Sequence, residues 1–276
     1  MIFYTSDDEK LLFNKARQKA FLSLSQTLNE VIEKEGVTEK GFADRWLENI
    51  YKKGDLYRNG WYDPPRSGIA VLSNERIDFD SLRNERFFSN NTPIDFKNGY
   101  LYAYCSPVEK SDGFIGDMSI TLYFGKDERV VSHFRNVRGA IQEIFDSLPD
   151  MEYACDLYDH SLSVFEKRGL RSNMISRTDT SPSNLGHTFT HLDSIGTNDI
   201  LSKEEIGHLS SSRCFINADA KWKFCDGMQF TIEPQLLSVA DPSLHKVTHH
   251  YVVKRKGDDF IVCNDIDLLL NRFGLI

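Results

Sequence analysis

Apolar positions in the first fifty residues recur at helical spacing. Leu12, Ala16, Ala20, Leu24, Leu28 and Val31 fall every three or four residues, and Gly36 follows as a stop, which predicts a long amphipathic helix over 8–35. Thr38 is placed to cap a second helix that buries Phe42, Ala43, Trp46, Leu47 and Ile50 and ends at Gly54. Residues 57–98 then lose periodicity and fill with Pro, Asn, Asp and Arg around one short strand at 69–72; so long a loop region suggests function. The runs GYLYAYC (99–105) and MSITLYFG (118–125) read as a hairpin turning at Asp112-Gly113. Helical spacing returns over 128–147 and 151–168, punctuated by Pro149 and Gly169, and strands follow at 228–232, 251–254 and 260–262. Helix, helix, strands therefore occurs twice. The pattern predicts one α+β domain over 1–276, with halves of roughly 1–125 and 126–276 related by an internal pseudo-twofold.

Composition narrows the function classes. The 276 residues carry a net charge of −8, and Lys and Arg are scattered apart from the turn Lys254-Arg255-Lys256, which argues against a nucleic-acid partner. No apolar run nears the ~18 residues of a membrane span, and the opening MIFYTSDDEKLL has acids where a secretory leader would be basic, so a cytoplasmic location is expected. Five widely spaced cysteines with no C-x-x-C pair argue against a disulfide framework or a zinc knuckle and read as free thiols.

The stretch DGMQFTIEPQL (226–236) alternates as a half-buried strand, but closes on a lone glutamate, Glu233, held by Pro234. An unpaired charge is seldom left at such a position without something to answer it. Candidates lie in three other segments: Asp117 in DGFIGDMSITLYFG behind two glycines, His187 and His191 in GHTFTHLDSIG, and His249 and His250 before a basic turn. Carboxylates and imidazoles together suit Mn, Fe, Co or Zn.

In order and spacing these segments resemble the methionine aminopeptidase, prolidase and creatinase family, whose pita-bread domain has about this length. EGVTEKGFADRWLENIYKKG (35–54) is similar to the family's opening, DGFIGDMSITLYFG to its central hairpin, and GMQFTIEPQL to the strand carrying a metal-binding glutamate. The resemblance implies two metal ions held by two aspartates, a histidine and two glutamates. Asp117 then matches the second aspartate and Glu233 the first glutamate. His191 fits the ligand histidine through an H-x-x-x-H pattern, with His187 beside it as a catalytic group together with Glu233; a G-H pattern makes His187 the ligand instead. The departures are specific. Ser106 stands eleven residues before Asp117, where the first aspartate belongs, and Thr248, His249 or His250 stands at the last glutamate, His249 being taken as the ligand and His250 as a substrate contact. The later catalytic histidine falls on Ser194 or Asn198, and the loop over 68–98 offers Arg76, Arg83 and Arg86 in place of a substrate-side histidine.

Serine cannot replace a bidentate aspartate, so the expected cofactor is one divalent metal (Fe, Mn, Co or Zn) at Asp117, His191, Glu233 and His249. The expected function is a divergent pita-bread enzyme, not an ordinary dinuclear aminopeptidase. Its substrate is small, polar and anionic, resembling an amino acid and docked by an arginine fork. The alternative is a non-catalytic relative serving as a binding or protein-interaction module. The partner expected is a small-molecule substrate, with a homodimer possible and no role for nucleic acid or membrane.

Overall fold

The computed structural model describes residues 2–4, 14–62, 67–172, 181, 183–194, 196 and 198–276. Helices and strands alternate in an α+β order, and contacts divide the chain into two compact units.

One unit comprises Asn14–Lys126 and Thr190–Ser212. Helices α1 (Lys15–Val31) and α2 (Glu39–Lys52) pack on one another, with Trp46 Nε1 donating to the Ala20 carbonyl at 3.1 Å. Each is capped by the residue type its N-terminus requires: Asn14 accepts from the Arg17 amide at 2.8 Å and Thr38 from the Gly41 amide at 3.1 Å. The first helix is four residues shorter at its end than its periodicity suggested, stopping at Val31, and predicted positions 8–13 lie outside the described residues. Strands β2 (Ile69–Ser73), β3 (Tyr100–Cys105) and β4 (Met118–Tyr123) form an antiparallel sheet in the order β2-β3-β4. Every residue of β2 and β4 is buried, the polar Ser73, Ser119 and Thr121 included. The β3–β4 connection turns at Gly113, whose φ of 69° suits glycine. Helix α5 (Lys203–Ser211) belongs to this unit and is absent from the sequence reading.

The second unit comprises Asp127–Phe189 and Arg213–Ile276 with the N-terminal segment Met1–Phe13. It holds α3 (Glu128–Ser147), α4 (Ala154–Lys167) and the short α6 (Asp267–Arg272). Two sheets accompany them. In the first, β1 (Ile2–Tyr4) runs parallel to β10 (Asp259–Cys263), which is followed by β9 (Tyr251–Lys256) and β6 (Gln229–Ile232) in antiparallel pairing. The second is β5-β7-β8, from Leu170–Ser172, Gln235–Ser238 and Val247–Thr248. Strand β6 ends at Ile232, paired with Tyr251, and β7 begins at Gln235, paired with Thr248. Pro234 has no amide hydrogen to continue the ladder, so the chain changes sheets there and leaves Glu233 at the changeover.

Candidate metal centre

Glu233 and its histidines are assembled by backbone pairing beside β6. The Glu233 amide donates to the Leu185 carbonyl at 2.9 Å and the Thr231 amide to the His187 carbonyl at 2.8 Å, so the 185–188 segment lies along the strand edge. Gly186 permits this approach: a Cβ there would stand 2.2 Å from the Thr231 carbonyl oxygen. The requirement explains why glycine precedes the histidine, and it is a signal the sequence did contain.

His187 is buried, and its Nδ1 lies 3.0 Å from the Thr188 carbonyl. A carbonyl can only accept, so this contact puts a proton on Nδ1 and turns Nε2 toward the carboxylate, 3.5 Å from Glu233 Oε1. Thr231 Oγ1 donates to the same carboxylate oxygen at 3.1 Å, and His250 Nε2 contacts Oε2. Burial pushes the Glu233 carboxyl upward. The opposing charges of His250 and then His187, with the His250 and Thr231 hydrogen bonds, outweigh it and bring the carboxyl down from 4.5 to about 2. Glu233 is thus an anion held in a site where only 3% of its surface meets solvent.

Asp117 precedes β4 and is 2% exposed. Burial first, and the Asp117 charge second, push the Tyr104 hydroxyl and the Cys105 thiol well upward. Both groups are therefore neutral near pH 7, and Cys105 is no thiolate ligand. One ligand atom each from Asp117, His187 and Glu233 lies within 4.8 Å of the others, a possible metal-binding group of two carboxylates and an imidazole.

The other candidates are distributed as follows. His191 is exposed and stacks on Phe114 with ring centroids 5.0 Å apart, and the three-residue group contains His187 in its stead. His249 is buried with its ring 5.8 Å from that of Phe134 on α3, while His250 takes the Glu233 contact. Thr248 is buried in β8. Arg76 turns inward, but onto protein: Nε lies 2.9 and 3.1 Å from the two Glu39 carboxylate oxygens, and Nη1 and Nη2 donate to the Arg86 and Phe88 carbonyls. Arg86 is exposed over the Phe87 ring. Arg83 lies 4.8 Å over the Tyr62 ring and lines a cleft of about 990 Å³ with Lys40, Asp44, Phe88 and Ile206.

Ser106 occupies a closed nook. It is fully buried, with Oγ 3.4 Å from both the Tyr62 amide nitrogen and the Gly68 carbonyl oxygen. A Cβ on Gly60 would stand 2.2 Å from that Oγ and 2.4 Å from Gly68 Cα. Gly60→Ala is therefore expected to destabilise the chain by about 1–3 kcal/mol through overpacking. Urea melts of the variant check this, and an unchanged midpoint would show that the nook has slack.

The chain's residues 15–255 match the model of metallopeptidase family M24, and the chain belongs to that family. Solved structures similar to it include the prolidase from Pyrococcus horikoshii OT3 (14% identity, TM-score 0.64, covering 93% of this chain and 61% of that one). The X-Pro aminopeptidase from Thermotoga maritima MSB8 is similar at 12% identity and TM-score 0.61, covering 94% and 61% of the two chains. The methionine aminopeptidase from Rickettsia prowazekii is similar at 15% identity and TM-score 0.58, covering 95% and 99%. The chain thus spans about three fifths of the prolidase and X-Pro aminopeptidase and nearly all of the methionine aminopeptidase. At these identities the likeness establishes the fold, which is the pita-bread fold expected from the sequence. No curated protein matches the chain in sequence. Among the described residues no helix is long and apolar enough to cross a membrane.

Proposed function

We propose that the chain is a divergent metal-dependent enzyme that holds one divalent ion, from among Fe, Mn, Co and Zn, at Asp117, His187 and Glu233. The carrying observation is the proximity of those three ligand atoms, all buried. The donor set fits a divalent ion: two carboxylates offset its charge, and the Thr188 carbonyl holds His187 in the tautomer that presents Nε2. When bound, the ion would supply Lewis acidity toward a carbonyl oxygen and acidify a water. Glu233, anionic and buried, accepts the charge, while His250 and Thr231 hold its carboxylate in orientation. Ser106 in its nook supports one ion in place of two, because a serine hydroxyl supplies neither the charge nor the second oxygen of an aspartate.

The substrate class in this reading is a small, anionic, peptide-like molecule. Arg83 is the arginine that carries it, since it lines a cleft while Arg76 is committed to Glu39. Location in the cytoplasm and assembly as a homodimer belong to the same reading. A second reading, a binding module without catalysis, is favoured by the His250 contact, which already pairs Glu233 within the chain.

Metal content separates the readings. Protein purified without chelator and reloaded with Fe(II), Mn(II), Co(II) or Zn(II) is expected to hold one ion per chain. Glu233→Gln and His187→Ala should each weaken binding by more than the roughly 10–100-fold typical of losing an outer-shell partner. His191→Ala should bind like the parent. Two ions per chain would restore the dinuclear alternative, and none with any metal would leave the binding module.

A further inference from the structure

The segment that carries Asp117 is gripped by the first turn of α1. Asn14 caps that helix through Oδ1, and its Nδ2 donates to the Ile115 carbonyl at 2.8 Å. Gly116 comes next. A Cβ there would stand 2.5 Å from the Arg17 amide nitrogen and 2.8 Å from Ala16 C and Cβ, so the helix backbone packs directly against the glycine. Arg17 Nη1 then donates to the Asp117 carbonyl at 2.7 Å, from a side chain only 1% exposed. Residues 115, 116 and 117 each meet the same helical turn. From the other side, the Ile115 amide donates to the Thr190 carbonyl at 3.1 Å and the Gly116 amide to the Pro107 carbonyl at 2.7 Å. Both sides of the segment are thereby fixed.

We propose that Arg17 is a positioning residue for Asp117: its guanidinium, with Asn14, sets the peptide plane from which the Asp117 side chain leaves, and so aims the carboxylate. Two physical points support this. A charge-assisted hydrogen bond is stronger and more directional than a neutral one, and its acceptor here is the carbonyl of the aspartate itself. Gly116 removes the side chain that would otherwise keep helix and segment apart, an arrangement that simple anchoring of α1 does not require. Neither Arg17 nor Asn14 reaches the metal in this scheme. The inference rests on the single-metal reading only for its functional consequence.

The test uses the full chain with Co(II) as probe, read by its visible absorption, alongside hydrogen exchange of the metal-free protein. Arg17→Met is expected to raise the Co(II) dissociation constant about 10–100-fold, the usual effect of losing an outer-shell partner, and to shift the Co(II) band at saturation. It should also speed amide exchange over 113–119. Arg17→Lys, which keeps a charged donor group without the planar fork, should recover part of the affinity. Arg76→Met, which breaks a different buried ion pair in the same unit, should lower the melting temperature but leave the Co(II) band and 113–119 exchange as in the parent. A folded Arg17→Met with parent-like affinity, band and exchange overturns the proposal. If Arg17→Met does not fold, Asn14→Asp decides: it keeps the cap but cannot donate to Ile115, and parent-like exchange over 113–119 overturns the clamp. If the parent binds no Co(II), the metal reading fails, and the exchange comparison alone accepts or rejects the positioning of Asp117.

Discussion

Arg76→Ala is expected to lower the unfolding free energy by about 3–5 kcal/mol, the range for breaking a buried ion pair from one side. Its partner Glu39 is fully buried in the first turn of α2 and accepts from the Ser73 amide at 2.8 Å, from Ser73 Oγ at 3.0 Å and from the Asn90 amide at 3.3 Å. One carboxylate thereby ties β2, the following loop and the helix together. Without Arg76 that carboxylate stays buried and loses its counter-charge. The Arg86 and Phe88 carbonyls lose donors as well. For a chain of this size the cost corresponds to a fall in melting temperature of roughly 6–20 °C. Calorimetry of parent and variant measures it, and a change within a degree or two would mean that solvent already screens the pair. Replacing both partners with apolar residues of similar volume should recover only part of the loss: no orphaned charge remains, but the Ser73 and Asn90 amides and the Arg86 and Phe88 carbonyls still lose their partners.

The second large effect is tied to pH. The Glu233 carboxyl is depressed from 4.5 to about 2, so the folded chain binds that proton less readily than the unfolded chain does. The resulting stabilisation is complete above the ordinary carboxyl value and is lost as pH falls toward 2. A depression of that size corresponds to something on the order of 3 kcal/mol at neutral pH. Metal-free Glu233→Gln should accordingly be less stable than the parent at pH 7 by about that amount. The gap should shrink as pH falls from about 5 toward 2, since glutamine cannot titrate. Urea melts in chelator across that range read the difference directly. A gap that stays constant with pH would assign the cost to altered packing.

The long helices were legible because their apolar spacing carries through about four or more turns, although α1 stops at Val31 and α4 begins at Ala154, three residues later than its spacing suggested. Glu233 was legible too, as a lone charge closing an alternation that the next proline terminates. The histidine was not, because His187 and His191 both fit a ligand pattern. What separates them is Gly186 against Thr231, a contact between residues 45 apart in the chain. Arg76 had the same difficulty: in a polar loop it reads as solvated or as a substrate contact, while its partner 37 residues away reads as an ordinary first-turn acid. Strands β5, β7 and β8 have three, four and two residues, too few for any period to show. Arg17 was passed over for its residue type: its spacing to Ala20, Leu24 and Leu28 puts it on the apolar stripe of α1, where the close approach of Gly116 completes its burial.

The nook around Ser106 also sets the cost of an aspartate there. Aspartate at this position would push two carboxylate oxygens past the point where one hydroxyl already touches the backbone at Tyr62 and Gly68, and would set one of them against the Gly68 carbonyl. A lone Ser106→Asp substitution is therefore penalised before any second ion could reward it. The backbone at Gly60 and Gly68 would have to move first, since a Cβ on Gly60 already meets both Ser106 Oγ and Gly68 Cα. Gly60, Gly68 and Ser106 thus behave as one packing unit, to be exchanged together or not at all.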